Sequence, residues 1–302
     1  MFKTILVPLD GSTLAEQALE PANQIARQNK AEIVLVRVPQ MEAAYATAAS
    51  PYDVISLEPA DGRTIAEARD YLKTIQSRQA TRGVPVRAVV AEGDTAGAIV
   101  DVASQIHADL IAMSSHGYSG LTRWLLGSVA EKVLRAATCP VLVVRSHRVV
   151  RQVVITLDGS ELSTRVLEPA LATAAGLGAS VTLLRVVPEY RVAELNELDQ
   201  FEVGLGPRLV GEMRDEAEVY LHNVIERVQK QGLQVNCEVC TGSPANAILE
   251  YAESHAIDLI AMATHGRSGL QRWVYGSVTE KVLRAGGFSM LVVRPLPSAQ
   301  AN

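Results

Sequence analysis

A shift of 148 to 149 residues lays the second half of this chain on the first, and that duplication limits the possible folds more than any single motif does. ILVPLDGS at 5–12 returns as VVITLDGS at 153–160, and DLIAM at 109–113 recurs at 258–262. The thirty residues from His116 to Arg145 match His265 to Arg294 at twenty positions. The period is domain-sized, well above the ~20 to 50 residues of solenoid repeats, so each copy is a complete fold. A copy of that size buries ~70% of its unfolded surface and can hold a core without a metal or disulfide. The sequence predicts domains at 1–147 and 148–295, joined near Ser146 to Val150, with a loose tail at 296–302.

Each copy alternates strands with helices. Thr4 to Leu9 is a near-continuous run of apolar residues, the pattern of a strand covered on both faces, and Glu32 to Val38 is a second. Between them, residues 13–29 carry Leu14, Ala18, Ile25 and Ala26 at roughly helical spacing behind Ser12, which predicts a helix capped by that hydroxyl. Residues 39–61 hold three prolines and many small side chains and predict an exposed loop or flap, with 188–206 in the corresponding place. Helix resumes at Arg63 to Arg82 and stops at Gly83. Val84 to Val90 is a third strand, Thr95 to His107 a helix and Asp109 to Met113 a fourth strand. Ser128 then begins a helix with Glu131 and Arg135 one turn apart, and Pro140 opens the last strand, Val141 to Arg145. This order predicts an α/β protein: two duplicated, doubly wound, Rossmann-like domains, each with a five-stranded parallel sheet flanked by helices. The final strands, Val141 to Arg145 and Leu291 to Arg294, are expected at sheet edges, and pairing them would create an internal pseudo-twofold.

Composition removes several classes of function. With 28 basic against 33 acidic residues, net charge −5, and no basic stripe, the chain lacks the footprint that neutralises nucleic-acid phosphates. Three cysteines are too few and too odd a number for a disulfide scaffold and fit a reducing compartment. The apolar stretch ahead of Asp10 is too short for a signal-peptide core, and Pro169 to Leu184 is too short and glycine-broken to span a bilayer. A cytoplasmic protein without a membrane partner is the expectation.

Sheets of this kind bind ligands beyond the carboxyl ends of their strands, where strand order reverses. Asp10 stands at the tip of the first strand, and Asp158 at the equivalent tip. The fourth strand ends at Met113 and runs into SSHGYSGLTRWLLGS, where glycines and small hydroxyls lead to a helix start at Ser128. Gly117 and Gly127 would let backbone N–H groups approach phosphate oxygens, and the helix dipole adds ~0.3 to 1 kcal/mol per charge. Ser128 would cap the helix or donate its hydroxyl to the phosphate.

In these residues the chain resembles the universal stress protein family, over essentially all 302 residues and as a tandem pair. ATP-binding members follow the fourth strand with Gly, two residues, Gly, nine residues and Gly-Ser or Gly-Thr, commonly with His before the second Gly. His116, Gly117, nine residues, Gly127 and Ser128 fit, as do His265, Gly266, nine residues, Gly276 and Ser277. Ser114 and Ala263 replace the first glycine, and Thr156 replaces the Pro8 type of residue that borders the nucleotide. A glycine lost from a left-handed position would cost of order 1 kcal/mol, whereas an extended position tolerates the change.

The resemblance implies that Pro8, Asp10, Val38 and Met113 surround the base and ribose. It implies that Ser114, His116, Gly117, Gly127, Ser128 and Val129 surround the phosphates. In the second copy it implies Asp158, Val186, Met262, His265, Gly266, Gly276, Ser277 and Val278. It also implies ATP, with Mg²⁺, as the ligand, a dimer-like pairing of the two halves, and an assembly that can extend to homo-oligomers. The first site is expected to be the better one, because Ser114 offers a hydroxyl where Ala263 offers a methyl group.

Plainer explanations stand beside these. Asp10-Gly11-Ser12 is also a strand-ending turn that caps a helix. His116 and His265 have no evident triad partners, so a structural or phosphate-contacting role outweighs a catalytic one. Trp124 and Trp273, behind Arg123 and Arg272, read as packing residues. Cys237 and Cys240 have redox or zinc spacing but fall on a strand, ~10 Å apart and on opposite faces, with no second ligand pair. No GxxxxGK[ST] or GxGxxG follows either first strand. Three functions remain: a nucleotide-binding sensor or regulatory module with at most slow ATP hydrolysis; an interaction or scaffold protein without nucleotide; and, least supported, an adenylylating enzyme.

Overall fold

The structure is a computed structural model that describes residues 2–39, 62–80, 82–115, 126–145, 148–188, 204–228, 234–264, 276–285 and 287–294. The first half contains β1 (Thr4–Pro8), a 3-10 turn (Ala15–Ala18), α1 (Leu19–Asn29), β2 (Glu32–Arg37) and α2 (Gly62–Ala80). It continues with β3 (Val86–Val90), α3 (Thr95–Gln105), β4 (Leu110–Ser114), α4 (Ser128–Ala136) and β5 (Val141–Val144). The second half repeats the order with β6 (Gln152–Thr156), α5 (Glu161–Thr164), α6 (Leu167–Leu177), β7 (Ser180–Pro188) and α7 (Leu205–Val228). It closes with β8 (Val235–Gly242), α8 (Pro244–Ser254), β9 (Leu259–Ala263), α9 (Ser277–Ala285) and β10 (Ser289–Val293).

The apolar runs are continuous because both sheet faces are covered. Ile5, Val7, Ile33 and Leu35 face a core layer that holds Ile25 of α1, Leu72 of α2, Leu171 of α6 and Leu221 of α7. Their neighbours Leu6, Val34 and Val36 face the other layer, with Ile99 of α3, Val133 of α4, Ile248 of α8 and Val282 of α9. Each layer therefore runs through both halves, and strict side-chain alternation along each strand supplies both.

Within each half the strands pair in parallel. The expectation of a five-stranded parallel sheet in each domain needs correction, because the two last strands, β5 and β10, pair with each other as their edge positions suggested, antiparallel and with Leu142 opposite Leu291. The result is one mixed ten-stranded sheet of order β3-β2-β1-β4-β5-β10-β9-β6-β7-β8. The last strands, expected at edges, are its centre. Their joining removes two rows of unpaired backbone groups. Strand order reverses between β1 and β4 in the first half and between β6 and β9 in the second. Since the central pair is antiparallel, the two carboxyl edges lie on opposite sides of the molecule.

The single helix predicted for 13–29 is also divided. Pro21 has no N–H for the carbonyl four residues back, so the 3-10 turn precedes α1, and Pro169 separates α5 from α6 in the same way. Helices α1 and α6 cross over the central strands, where a Cβ on Gly176 would stand 2.8 Å from Ile25 Cα. Only glycine permits that approach. Among the described residues no helix is long and apolar enough to cross a membrane.

Candidate functional site

The first wall of the site is the turn after β1. Leu9 N–H donates to Val36 O at 2.8 Å, extending the ladder one residue past the strand. The chain then reverses: Asp10 Oδ1 accepts from Ser12 N–H at 2.8 Å, Gly11 has φ +93°, and Ser12 Oγ accepts from Ala15 N–H at 3.1 Å. The second half repeats this, with Asp158 Oδ1 to Ser160 N–H at 2.8 Å, Gly159 at φ +84° and Ser160 Oγ capping Ser163 N–H at 3.1 Å. The plain role of a turn and cap is thus filled in both copies, and the left-handed φ explains the glycine.

Beneath the first turn lies a group that sequence reasoning missed. The Arg37 guanidinium is so close to Gly11 that a Cβ there would meet Nη2 at 3.3 Å. The same guanidinium stacks 4.7 Å from the centre of the Tyr71 ring. Tyr71 Oη donates to Glu16 Oε1 at 3.1 Å, and Arg78 holds the other carboxylate oxygen at 3.1 Å. Burial, then the Glu16 carboxylate, pushes the Tyr71 phenol well above its ordinary value. Arg185 stacks on Tyr220 at 4.8 Å in the second half, where burial likewise raises the phenol. The shift of 148 to 149 residues that relates the two halves also aligns these pairs, and that was the available signal.

The second wall joins the end of β4 to the start of α4. Met113 is buried, and Ser114 pairs with Val144 as the last strand residue. Ser115 N–H donates to Val144 O at 3.1 Å, and Ser115 O accepts from Gly127 N–H at 2.8 Å, which closes the neck of the loop. The equivalent neck pairs Thr264 N–H with Val293 O at 3.0 Å and Gly276 N–H with Thr264 O at 2.5 Å. Strand tip and helix start are thereby brought together in each half. His116, Gly117, His265 and Gly266 lie outside the described residues, as do Arg123, Trp124, Arg272 and Trp273.

Two expectations change here, and the question left open at Ser114 and Ala263 is answered. Gly127, with φ −61° and ψ 146°, is itself the N-cap without a side-chain bond, so Ser128 is the first helical residue rather than the cap. The Gly127 amide is spent on Ser115; the amides that precede the first intrahelical bond, Glu131 N–H to Gly127 O at 2.9 Å, are those of Ser128, Val129 and Ala130. Ser114 and Ala263 are strand residues and are absent from the positive-φ positions, so neither replacement strains the backbone.

The remaining site residues distribute over the same edges. Pro8 ends β1 opposite Val36, and Val38 follows β2, buried in the layer that also holds Met113. In the second half Thr156 ends β6 opposite Leu184. Val186 differs from Val38: β7 is longer than β2, so Val186 is still a strand residue, opposite Cys240, packed against the layer that contains Met262. Ser277 and Val278 begin α9 as Ser128 and Val129 begin α4.

Elsewhere the chemistry is sparse. Cys237 and Cys240 both lie on β8 as free, half-buried thiols, and burial raises both above their ordinary value. No group of three or more His, Cys, Asp or Glu side chains suited to a metal occurs among the described residues. A cavity of about 250 Å³ lies between α1 and residues 148–150, lined in part by Glu16, Glu20 and Arg148. Its lining includes Glu16 and Val144, which also serve the first turn and the neck of the loop, but none of the residues expected to surround a nucleotide, and Arg78 and Arg82 already engage its two carboxylates.

Comparison with known proteins finds the family model described as "Universal stress protein family" matching twice, at residues 1–145 and 150–294. A universal stress protein of Methanocaldococcus jannaschii is 36% identical over 155 residues, covering 49% of this chain and 85% of that one. One from Mycolicibacterium smegmatis is 26% identical over 309 residues, covering 96% of this chain and 97% of the relative. Among solved structures, a universal stress protein from Archaeoglobus fulgidus superposes with a TM-score of 0.69, at 21% identity, over 96% of this chain and 98% of that chain. At that identity the superposition shows the fold alone.

Proposed function

This chain belongs to the universal stress protein family as a two-domain member, and we propose that each domain, 1–147 and 148–295, binds an adenine nucleotide, ATP with Mg²⁺. The observation that carries this reading is the closed neck of the loop. It fixes a strand tip against a helix start and leaves the amides of Ser128, Val129 and Ala130 ahead of the first intrahelical bond. Three such donors at the positive end of a helix suit a phosphate group. Met113 and Val38 supply a buried apolar wall for a base on the same sheet face, and Asp10 an acid at the neighbouring strand tip. In the second site Ser277, Val278, Met262, Val186 and Asp158 take these places. His116, Gly117, His265 and Gly266 complete the phosphate loops, with Ser114 offering a hydroxyl that Ala263 lacks. The protein acts as a sensor or regulatory module of a stress response, with at most slow hydrolysis, in the cytoplasm.

One observation favours a second reading, an interaction or scaffold protein without nucleotide: Gly127 N–H, Ser12 N–H and one Asp10 oxygen are already bonded within the fold. Denaturing freshly purified protein and identifying any released small molecule by mass and absorbance separates the two. Calorimetric titration of the stripped chain with ATP and Mg²⁺ completes the test. Released adenylate or saturable heat supports the first reading, whereas neither leaves the scaffold.

A further inference from the structure

The helices α4 and α9 start at the two candidate phosphate sites, and each ends against the opposite half of the chain. Arg145 follows β5; its backbone N–H donates to Ser289 Oγ at 3.1 Å and its Nη2 to Leu283 O at 2.7 Å. Leu283 is in the last turn of α9. Arg294, the equivalent residue after β10, directs Nη1 to Arg135 O at 2.9 Å, in the last turn of α4. Both acceptors belong to the final four carbonyls of a helix, which have no intrahelical donor, and a cation there meets the negative end of the helix dipole. The Arg145 guanidinium is largely desolvated and its Nε is buried without a hydrogen-bond partner. Burying a charge in this way is costly, so the contact with Leu283 O is held by the surrounding packing.

We infer that these arginines are positioning residues in trans: Arg145 of the first half fixes the helix of the second site, and Arg294 of the second half fixes the helix of the first. This rests on the nucleotide reading of the two sites. The mechanism is the shortness of the helices. Nine residues give about two and a half turns and roughly 14 Å from end to end. So short a helix is marginal by itself, and fraying its last turn loosens the direction of the amides at its start. Binding at each site then depends on the β5–β10 junction that carries both arginines.

The inference predicts a crossed pattern that a local role would not produce, since Arg145 directly follows Val144, whose carbonyl holds Ser115 at the first site's neck. Gly276→Glu leaves only the first site and Gly127→Glu only the second. In the Gly276→Glu protein, Arg294→Met weakens ATP binding about 3- to 10-fold and Arg145→Met by less than about 2-fold. In the Gly127→Glu protein the two exchange roles. Lysine at either position restores part of the loss, because it returns the charge without the fork. An uncrossed pattern, or equal effects at both sites, overturns the inference.

Hydrogen exchange tests the caps without nucleotide. Arg145→Met speeds exchange of the α9 amides and Arg294→Met that of the α4 amides; unchanged or uncrossed exchange overturns the caps. If neither single-site protein binds ATP while exchange is crossed, the nucleotide reading has failed and the clamp between halves stands.

Discussion

Replacing Gly176 with alanine tests the arrangement of the two halves, because two effects of known size oppose each other there. In an exposed helix, Gly→Ala stabilises by about 0.5 to 1 kcal/mol by restricting the unfolded chain. At Gly176 the new Cβ would stand 2.8 Å from Ile25 Cα, 3.1 Å from Cγ1 and 3.2 Å from Cβ, and the first of these is backbone that cannot rotate away. Separating α1 from α6 enough to admit a methyl group strains a closely packed layer by about 1 to 3 kcal/mol. Subtracting the propensity gain leaves a net destabilisation of about 0 to 2.5 kcal/mol. Gly211, inside α7 with nothing within 4 Å of its Cβ position, is the internal control and should gain the full 0.5 to 1 kcal/mol. Urea unfolding followed by circular dichroism gives both values from the midpoints, provided the slopes agree with the parent. If Gly176→Ala stabilises as much as Gly211→Ala, the two helices do not cross at this distance and the shared core layer is wrong.

Other expectations follow from single residues. Cys139 is pushed up to about 11 by burial, from an ordinary 9.0. The thiol loses its proton first in the unfolded chain, so its contribution is complete below pH 9 and is lost as pH rises from 9 to 11. Cys139→Ala should flatten that alkaline decline in urea midpoints, which is on the order of 2 to 3 kcal/mol. Lys30 ends α1 at φ 56°, where the second half has Gly178 at φ 66°, so Lys30→Gly should stabilise by about 0.5 to 1 kcal/mol in the same assay. Ser160→Ala removes the cap on Ser163 N–H and should cost about 1 kcal/mol.

Much of the fold was legible because residue pattern and environment coincide. Thr4 to Leu9 and Glu32 to Val38 are continuous in apolar character since both faces of their strands are covered. The duplication made the second half readable from the first. The joining of β5 to β10 was suggested by their edge positions, but two Val-rich strands do not announce that they form the middle of a ten-stranded sheet. Of the candidate site, the strand tip and the helix start were legible in the motif, and the hydrogen bonds that join them less so. Ser128 looks like an N-cap because serine favours that position; the neck bond to Ser115 instead sets the cap at Gly127. Whether Ser114 and Ala263 are strained depends on backbone angles that spacing does not encode, and the strand register answers it. Arg37 on Tyr71 and Arg145 on Leu283 join residues 34 and 138 positions apart, so the duplication repeats the residues but only the folded chain shows the contacts.

The central claim is that each half of the chain offers one phosphate-binding helix start. Calorimetric titration of the stripped protein with ATP and Mg²⁺, beside Gly127→Glu and Gly276→Glu, addresses it most directly. Gly127 has φ −61°, which any residue can adopt, so the added carboxylate repels phosphate without breaking the backbone. The account predicts two nucleotides per chain in the parent and one in each variant, the tighter site being lost with Gly127→Glu. A stoichiometry unchanged by both substitutions, or no binding by the folded parent, would contradict it.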